Sequence, residues 1–203
     1  GAAITDSSAS LFMNAMTAEQ RHAILEEMFD PQQGGFSSLR ISIGACDFSS
    51  QKYYTYDDLP EGVAADAGLE YFSIGEGKPG APDATKDMKN VIPVLQEIIA
   101  INPAVKIMAS PWSAPAWMKT SNRISGAGRL RLGEYVGNGY RYQDTIDYVY
   151  AQYFVKFIAA YAKLGIRISS VTMQNEPSNG CPWPITVWTP EELTKWGAEY
   201  LRP

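Results

Sequence analysis

The chain has 203 residues, 45% of them hydrophobic, which is enough to bury a substantial core in one domain or two small ones. A net charge of −5, with 17 scattered Lys and Arg, argues against nucleic acid as a partner, since phosphate binding needs a basic stripe; an uncharged substrate fits better. No apolar run is long enough for a transmembrane segment, and no charged-apolar-small leader opens the chain, so any export signal is expected to have been removed or never to have existed.

Taken in chain order, Thr17 and Gln20 form a capping box ahead of a helix whose apolar face carries Ile24, Leu25, Met28 and Phe29 and which ends near Asp30-Pro31. After Gly34-Gly35, the alternation in Leu39 to Gly44 predicts a strand, with Arg40, Ser42 and Gly44 on the face that suits a barrel interior. Residues 49–82 form a long irregular stretch, with a short strand expected at Tyr71 to Ile74; loops of this length in a compact domain are usually functional. A helix from about Thr85 to Ala100 follows, which Pro93 should kink or start late. Val105 to Ser110 reads as a strand stopped by the Pro111 to Pro115 segment.

The clearest element is a helix from about Asp144 to Leu164. Its stripe carries Ile146, Val149, Tyr150, Tyr153, Phe154, Phe157, Ile158 and Tyr161, and Gly165 terminates it. Ile168 to Gln174 is the next strand, with Ser170, Thr172, Gln174 and Glu176 on one polar face by the two-residue period. Thr189-Pro190-Glu191-Glu192 then opens a last helix with a capping box and proline at its first position. No repeat or linker divides the chain, and strands alternating with helices predict an α/β fold with a parallel sheet.

What is missing narrows the chemistry. The single histidine, His22, lies between polar helix positions and reads as a surface residue, which removes a Ser-His-Asp triad and any His-rich metal site unless another chain contributes. Cys46 and Cys181 are far apart and read as buried or half-buried thiols, although a disulfide stays open. No glycine-rich phosphate loop is present either, and neither a cofactor nor a metal is expected. Carboxylate chemistry remains.

Asp47, Trp112 and Glu176 each follow a predicted strand, and in a parallel α/β fold those ends share one face. Singly, Asp47 reads equally as a turn residue, Trp112 as a core plug and Asn175-Glu176-Pro177 as a polar turn; together they suit a sugar site. The Trp112 ring offers a platform for a sugar C–H face, Asp47 and Asn175 offer hydrogen bonds to hydroxyls, and Glu176 offers a proton. Apolar neighbours such as Met173 and Trp183 are expected to disfavour the ionised form of Glu176, as a general acid needs. Glycoside hydrolysis also needs a second carboxyl group.

Residues 1–6, 39–49, 54–57, 109–119, 153–157 and 174–178, in that order, resemble glycoside hydrolase family 30, the family of glucosylceramidase and endo-β-1,6-glucanases. The resemblance implies a retaining β-glycosidase on a (β/α)8 TIM barrel, accompanied in the complete protein by a β-sandwich. It implies that Glu176 is the acid/base, that Asn175 bonds the 2-hydroxyl, that Asp47 and Trp112 line the sugar subsite, and that Arg40 lies near the nucleophile. It makes residues 1–5 the stub of a first strand that periodicity does not find. The family's nucleophile, a glutamate after the seventh strand, has no counterpart here, so residues 1–203 are expected to be the amino-terminal half of the barrel, strands 1 to 4, inactive alone and partnered by the remainder of the same domain. The substrate is expected to be a β-glucoside, glycolipid or glucan, met in a secreted, periplasmic or lysosomal setting. A non-catalytic carbohydrate-binding protein on the same fold is the alternative, and a structural α/β domain without a sugar site a weaker one.

Overall fold

In a computed structural model, residues 1–201 are described. Four strands form one parallel sheet in the order β1-β2-β3-β4: β1 (Ala2–Ile4), β2 (Ser38–Ile43), β3 (Lys106–Pro111) and β4 (Ile168–Val171). All three pairings are parallel, with Ile4 opposite Ile41, Ile41 opposite Ala109 and Ile107 opposite Ile168. Parallel neighbours require crossovers, and helices supply them: α1 (Asp6–Asn14) and α2 (Ala18–Phe29), α3 (Lys86–Lys89) and α4 (Val91–Ile101), then α5 (Ile146–Lys163). After β4 comes α6 (Pro190–Trp196), which runs on into a π-type turn at Gly197–Leu201.

Alternation along β2 sorts its side chains. Leu39, Ile41 and Ile43 are buried in the helical layer, while Arg40 and Ser42 stay half-buried on the opposite face. The helices bring Leu25 and Phe29, then Ile92, Val94, Leu95 and Ile98, then Tyr150, Tyr153, Phe154, Phe157 and Tyr161 into the same core. Thr17 and Gln20 form the expected capping box, as do Thr189 and Glu192, with Pro190 at the first helical position. Gly165, at φ +79°, ends α5 in the left-handed region that glycine adopts freely. His22 is exposed and its Nδ1 lies 3.1 Å from Glu97 Oε1. Cys46 and Cys181 are both buried and free.

Several expectations are corrected. The helix placed at 85–100 is two, broken at Asn90, and of the two outcomes expected at Pro93 the later start holds: the second helix begins at Val91, with Pro93 in its first turn, where a missing N–H costs nothing. Ile24 and Ile158 point to solvent rather than into the core, 37% and 38% exposed. Helix α5 starts at Ile146, capped by the Thr145 side chain, with Asp144 in a preceding 3₁₀ turn. Helix α1, capped by a Thr5–Ser8 box, carries too few buried apolar residues, Ala9 alone, to show in the sequence pattern.

Residues 71–74 are turn and bend, not strand. There the Tyr71 N–H donates to Asp66 Oδ2 (2.8 Å) and the Ser73 N–H to Tyr56 O (2.7 Å), so these backbone groups are spent inside the loop. The long irregular stretch is nevertheless firmly held. Tyr54 and Tyr56 donate to the buried Asp87, the Tyr153 hydroxyl meets the Tyr56 N–H at 3.1 Å, and Tyr56 stacks on Phe157 at 5.7 Å and 6°.

Candidate active site

Each strand delivers one part of a single hollow. Beyond β2, Gly44 (φ +75°) turns the chain, and the Ala45 N–H to Tyr54 O bond (2.9 Å) closes a loop that holds Asp47, exposed, on the rim. Beyond β3, Trp112 is almost fully buried, and its carbonyl accepts from Gln174 Nε2 (2.7 Å) and the Thr186 N–H (2.9 Å).

Beyond β4 the expected strand fails. It ends at Val171, and Gln174 leaves the predicted polar face to lie buried between the Trp112 carbonyl and Trp188 Nε1, which donates to Gln174 Oε1 at 3.2 Å. The two-residue period therefore does not extend to Gln174. A hydrogen bond from the Asn175 N–H to Pro111 O (2.8 Å) re-anchors the chain at the strand end. Glu176 follows at φ +46°, one of four non-glycine residues in the left-handed region among the described residues. Such a conformation is sterically costly and tends to accumulate at functional sites.

Arg40 ties these parts together from inside the sheet. Its Nη2 donates to Asn175 Oδ1 (2.7 Å) and Ser110 Oγ (3.2 Å), and its Cζ lies 4.7 Å from the centre of the Trp112 ring, a cation–π distance. Ser110 in turn bonds the Thr172 hydroxyl. Arg40, Asp47, Trp112, Asn175 and Glu176, the five residues singled out from the sequence, all line one hollow of about 320 Å³.

Two features differ from expectation. Glu176 is not enclosed by apolar groups; it is exposed, and its Oε2 accepts from Asn179 Nδ2 at 3.0 Å. Nor do Met173 and Trp183 line that hollow. The organising role of Lys119 goes unread in the sequence. Fully buried, its Nζ donates to Ser113 Oγ and to the Arg123, Ile124 and Ile185 carbonyls at 2.6–3.0 Å, stitching the loops that flank Trp112. Burial lowers its pKa to about 8. A lysine in an otherwise apolar and small-residue segment was the only available signal.

Comparison with known proteins follows the same lines. The model of the glycosyl hydrolase family 30 TIM-barrel domain matches residues 1–191. An endo-1,6-β-D-glucanase of Trichoderma harzianum, BGN16.3, is 38% identical over 182 residues, covering 88% of this chain and 34% of that protein. The lysosomal acid glucosylceramidase of Mus musculus is 32% identical over 208 residues, covering 100% of this chain and 36% of that protein. Among solved structures, the endo-β1,6-glucanase BT3312 superposes with a TM-score of 0.77 at 31% identity, over 99% of this chain and 40% of that one. SrfJ from Salmonella typhimurium superposes at 0.79 with 28% identity, over 100% and 40%. The chain thus spans about a third of the length of the curated relatives it matches.

Proposed function

This chain belongs to glycosyl hydrolase family 30, and on that premise we propose that it carries the acid/base side of a retaining β-glycosidase acting on β-linked glucosides. The observation that supports the reading most is the convergence of Arg40, Asp47, Trp112, Asn175 and Glu176 on one hollow at the carboxyl ends of parallel strands. In this reading the sugar lies with its C–H face on Trp112, and Asp47 and Asn175 hold its hydroxyls. Arg40 fixes the Asn175 amide by a 2.7 Å bond to Oδ1, which leaves Nδ2 as the donor presented to the sugar.

Glu176 delivers its proton to the glycosidic oxygen as the bond to the anomeric carbon breaks, while a second carboxylate attacks that carbon from the opposite face. Glu176, now ionised, then takes a proton from the water that releases the sugar. Retention requires the two carboxyl groups to stand about 5 Å apart. We place the second one on a later strand, across the cleft from Glu176, so that residues 1–203 are the first half of the barrel and are inactive without the rest.

The names of the relatives point to two substrate classes, β-1,6-glucan and glucosylceramide. Assaying the full-length protein on gentio-oligosaccharides and on glucosylceramide distinguishes them. Glu176→Gln should lower kcat on the cleaved substrate by about a hundredfold to ten-thousandfold, as loss of a general acid does. Turnover left at the wild-type rate would reject the assignment and favour a sugar-binding role without catalysis. A secreted, periplasmic or lysosomal location belongs to the same proposal, and cell fractionation tests it.

A further inference from the structure

A hollow of about 600 Å³ lies away from Glu176. Its walls come from the stretch after β2, from the segment after β3 and from the start of α3, and it shares no lining residue with the Glu176 hollow. The segment after β2 contributes to both hollows, Asp47 and Phe48 to the one at Glu176 and Gln51 to Tyr54 to this one.

Four observations give this hollow the marks of a binding site. Tyr53 stands on its rim, 37% exposed, although nothing in the core needs it there. The Trp117 indole N–H donates to Asp57 Oδ2 at 2.9 Å, which locks a half-buried aromatic ring into the wall. Asp57 itself is fully buried and lines the hollow, and its Oδ1 has no hydrogen-bond partner among the described residues other than the neighbouring Asp66 carboxyl. Lys86 (φ +47°) and Asn122 (φ +50°) both line the hollow in the left-handed region, so two of the four strained non-glycine residues sit here and a third is Glu176.

We propose that this hollow is a second carbohydrate-binding site, which holds a segment of a β-linked glucan chain while another part of the chain occupies the Glu176 cleft. Aromatic surface from Tyr53 and Trp117 suits sugar C–H faces, and the Asp58 carboxylate and Asn122 amide suit hydroxyls, while Lys86 is held by the Thr55 and Ser73 carbonyls and by Asp58. A phosphorylated lipid headgroup fits less well, because the two lysines of the lining, Lys52 and Lys86, are offset by Asp57 and Asp58, with Lys86 paired to Asp58. The choice of glucan rests on the glycosidase reading above.

The test uses the full-length protein in two arms. In the binding arm, the Glu176→Gln protein is titrated with soluble β-1,6-glucan by calorimetry. Tyr53→Ala, or Val63→Trp placed to fill the hollow, should weaken polymer binding by about two- to tenfold, as loss of one aromatic platform does, while Tyr53→Phe retains it. In the kinetic arm, with Glu176 intact, the same variants should leave hydrolysis of nitrophenyl β-glucoside unchanged. Polymer binding equal to that of the parent in both Tyr53→Ala and Val63→Trp overturns the second site, as does a parallel loss of small-substrate turnover in both. If the wild type cleaves no β-glucoside but the polymer-binding loss persists, the glycosidase reading fails and the second site stands.

Discussion

At the scale of single residues, the site depends on Arg40 more than its distance from any reacting bond suggests. The guanidinium donates to the Asn175 side chain and lies over the Trp112 ring, so it orients one group proposed to bond the sugar and backs another. A charge-assisted hydrogen bond of this kind is worth about 1.5–3 kcal/mol. Arg40→Ala should therefore lower kcat/KM by roughly ten- to a hundredfold. Arg40→Lys should rescue little, since an ammonium presents a point charge rather than a planar fork. Equal kcat/KM in wild type and Arg40→Ala would show that Asn175 and Trp112 hold their places unaided.

Elements show where local pattern was enough and where it was not. The two terminal capping boxes, the strand at 38–43 and the body of α5 follow from side-chain periodicity and cap chemistry that operate within a few residues. The three-residue β1 is too short to carry a period and was identifiable only through resemblance. The end of β4 was misread for a different reason. Continuing alternation favours a strand to Gln174, but the Trp112 carbonyl and Trp188 indole capture that amide, and such a tertiary contact leaves no trace in spacing. Asp47, Trp112, Asn175 and Glu176 could be picked out because each follows a strand, and Arg40, inside β2, gained its site role only through the resemblance, whereas Lys119 and the hollow around Trp117 depend on how loops fold back.

The junction of α3 with the long irregular segment makes a second case at this scale. Asp87, fully buried, accepts from the Tyr54, Tyr56 and Tyr161 hydroxyls at 2.5–2.6 Å, and this joins the 54–56 segment to α3 and α5. Burial pushes its carboxyl up to about 6, against the pull of those three donors. A carboxyl raised in the folded state binds its proton more tightly there than in the unfolded chain. Its contribution to stability is then fully present below the ordinary value near 3.8 and is lost as pH rises through about 6. The difference corresponds to roughly 3 kcal/mol at most. Thermal unfolding of wild type and Asp87→Asn between pH 4 and pH 7 checks this: the variant should be less stable at every pH, because an amide offers one acceptor to three hydroxyls, and its stability should fall less with rising pH. Parallel curves would mean that Asp87 stays ionised throughout.

For the molecule as a whole, the decisive feature is a sheet covered on one face only. Parallel sheets are ordinarily buried on both faces, and here the helical layer covers one while Arg40, Met108 and Ser170 remain partly open on the other. A hollow of about 580 Å³ runs along that face over β1 to β4, and β1 and β4 each have a single strand neighbour among the described residues. A barrel would close both edges and turn this face into its packed interior. Expressed by itself, the 203-residue polypeptide should therefore self-associate, and any soluble fraction should hydrolyse nitrophenyl β-glucoside no faster than its Glu176→Gln variant, for want of a carboxylate across the bond. Sedimentation and single-turnover assays read both. On the proposal that residues 1–203 are the first half of a barrel, co-expression with the second half should restore a monodisperse complex and a turnover that depends on Glu176, because that half would cover the open face and supply the attacking group. A monomeric, active 203-residue polypeptide would instead place both carboxyl groups within these residues, with Asp47, the other carboxylate lining the Glu176 hollow, as the first to replace.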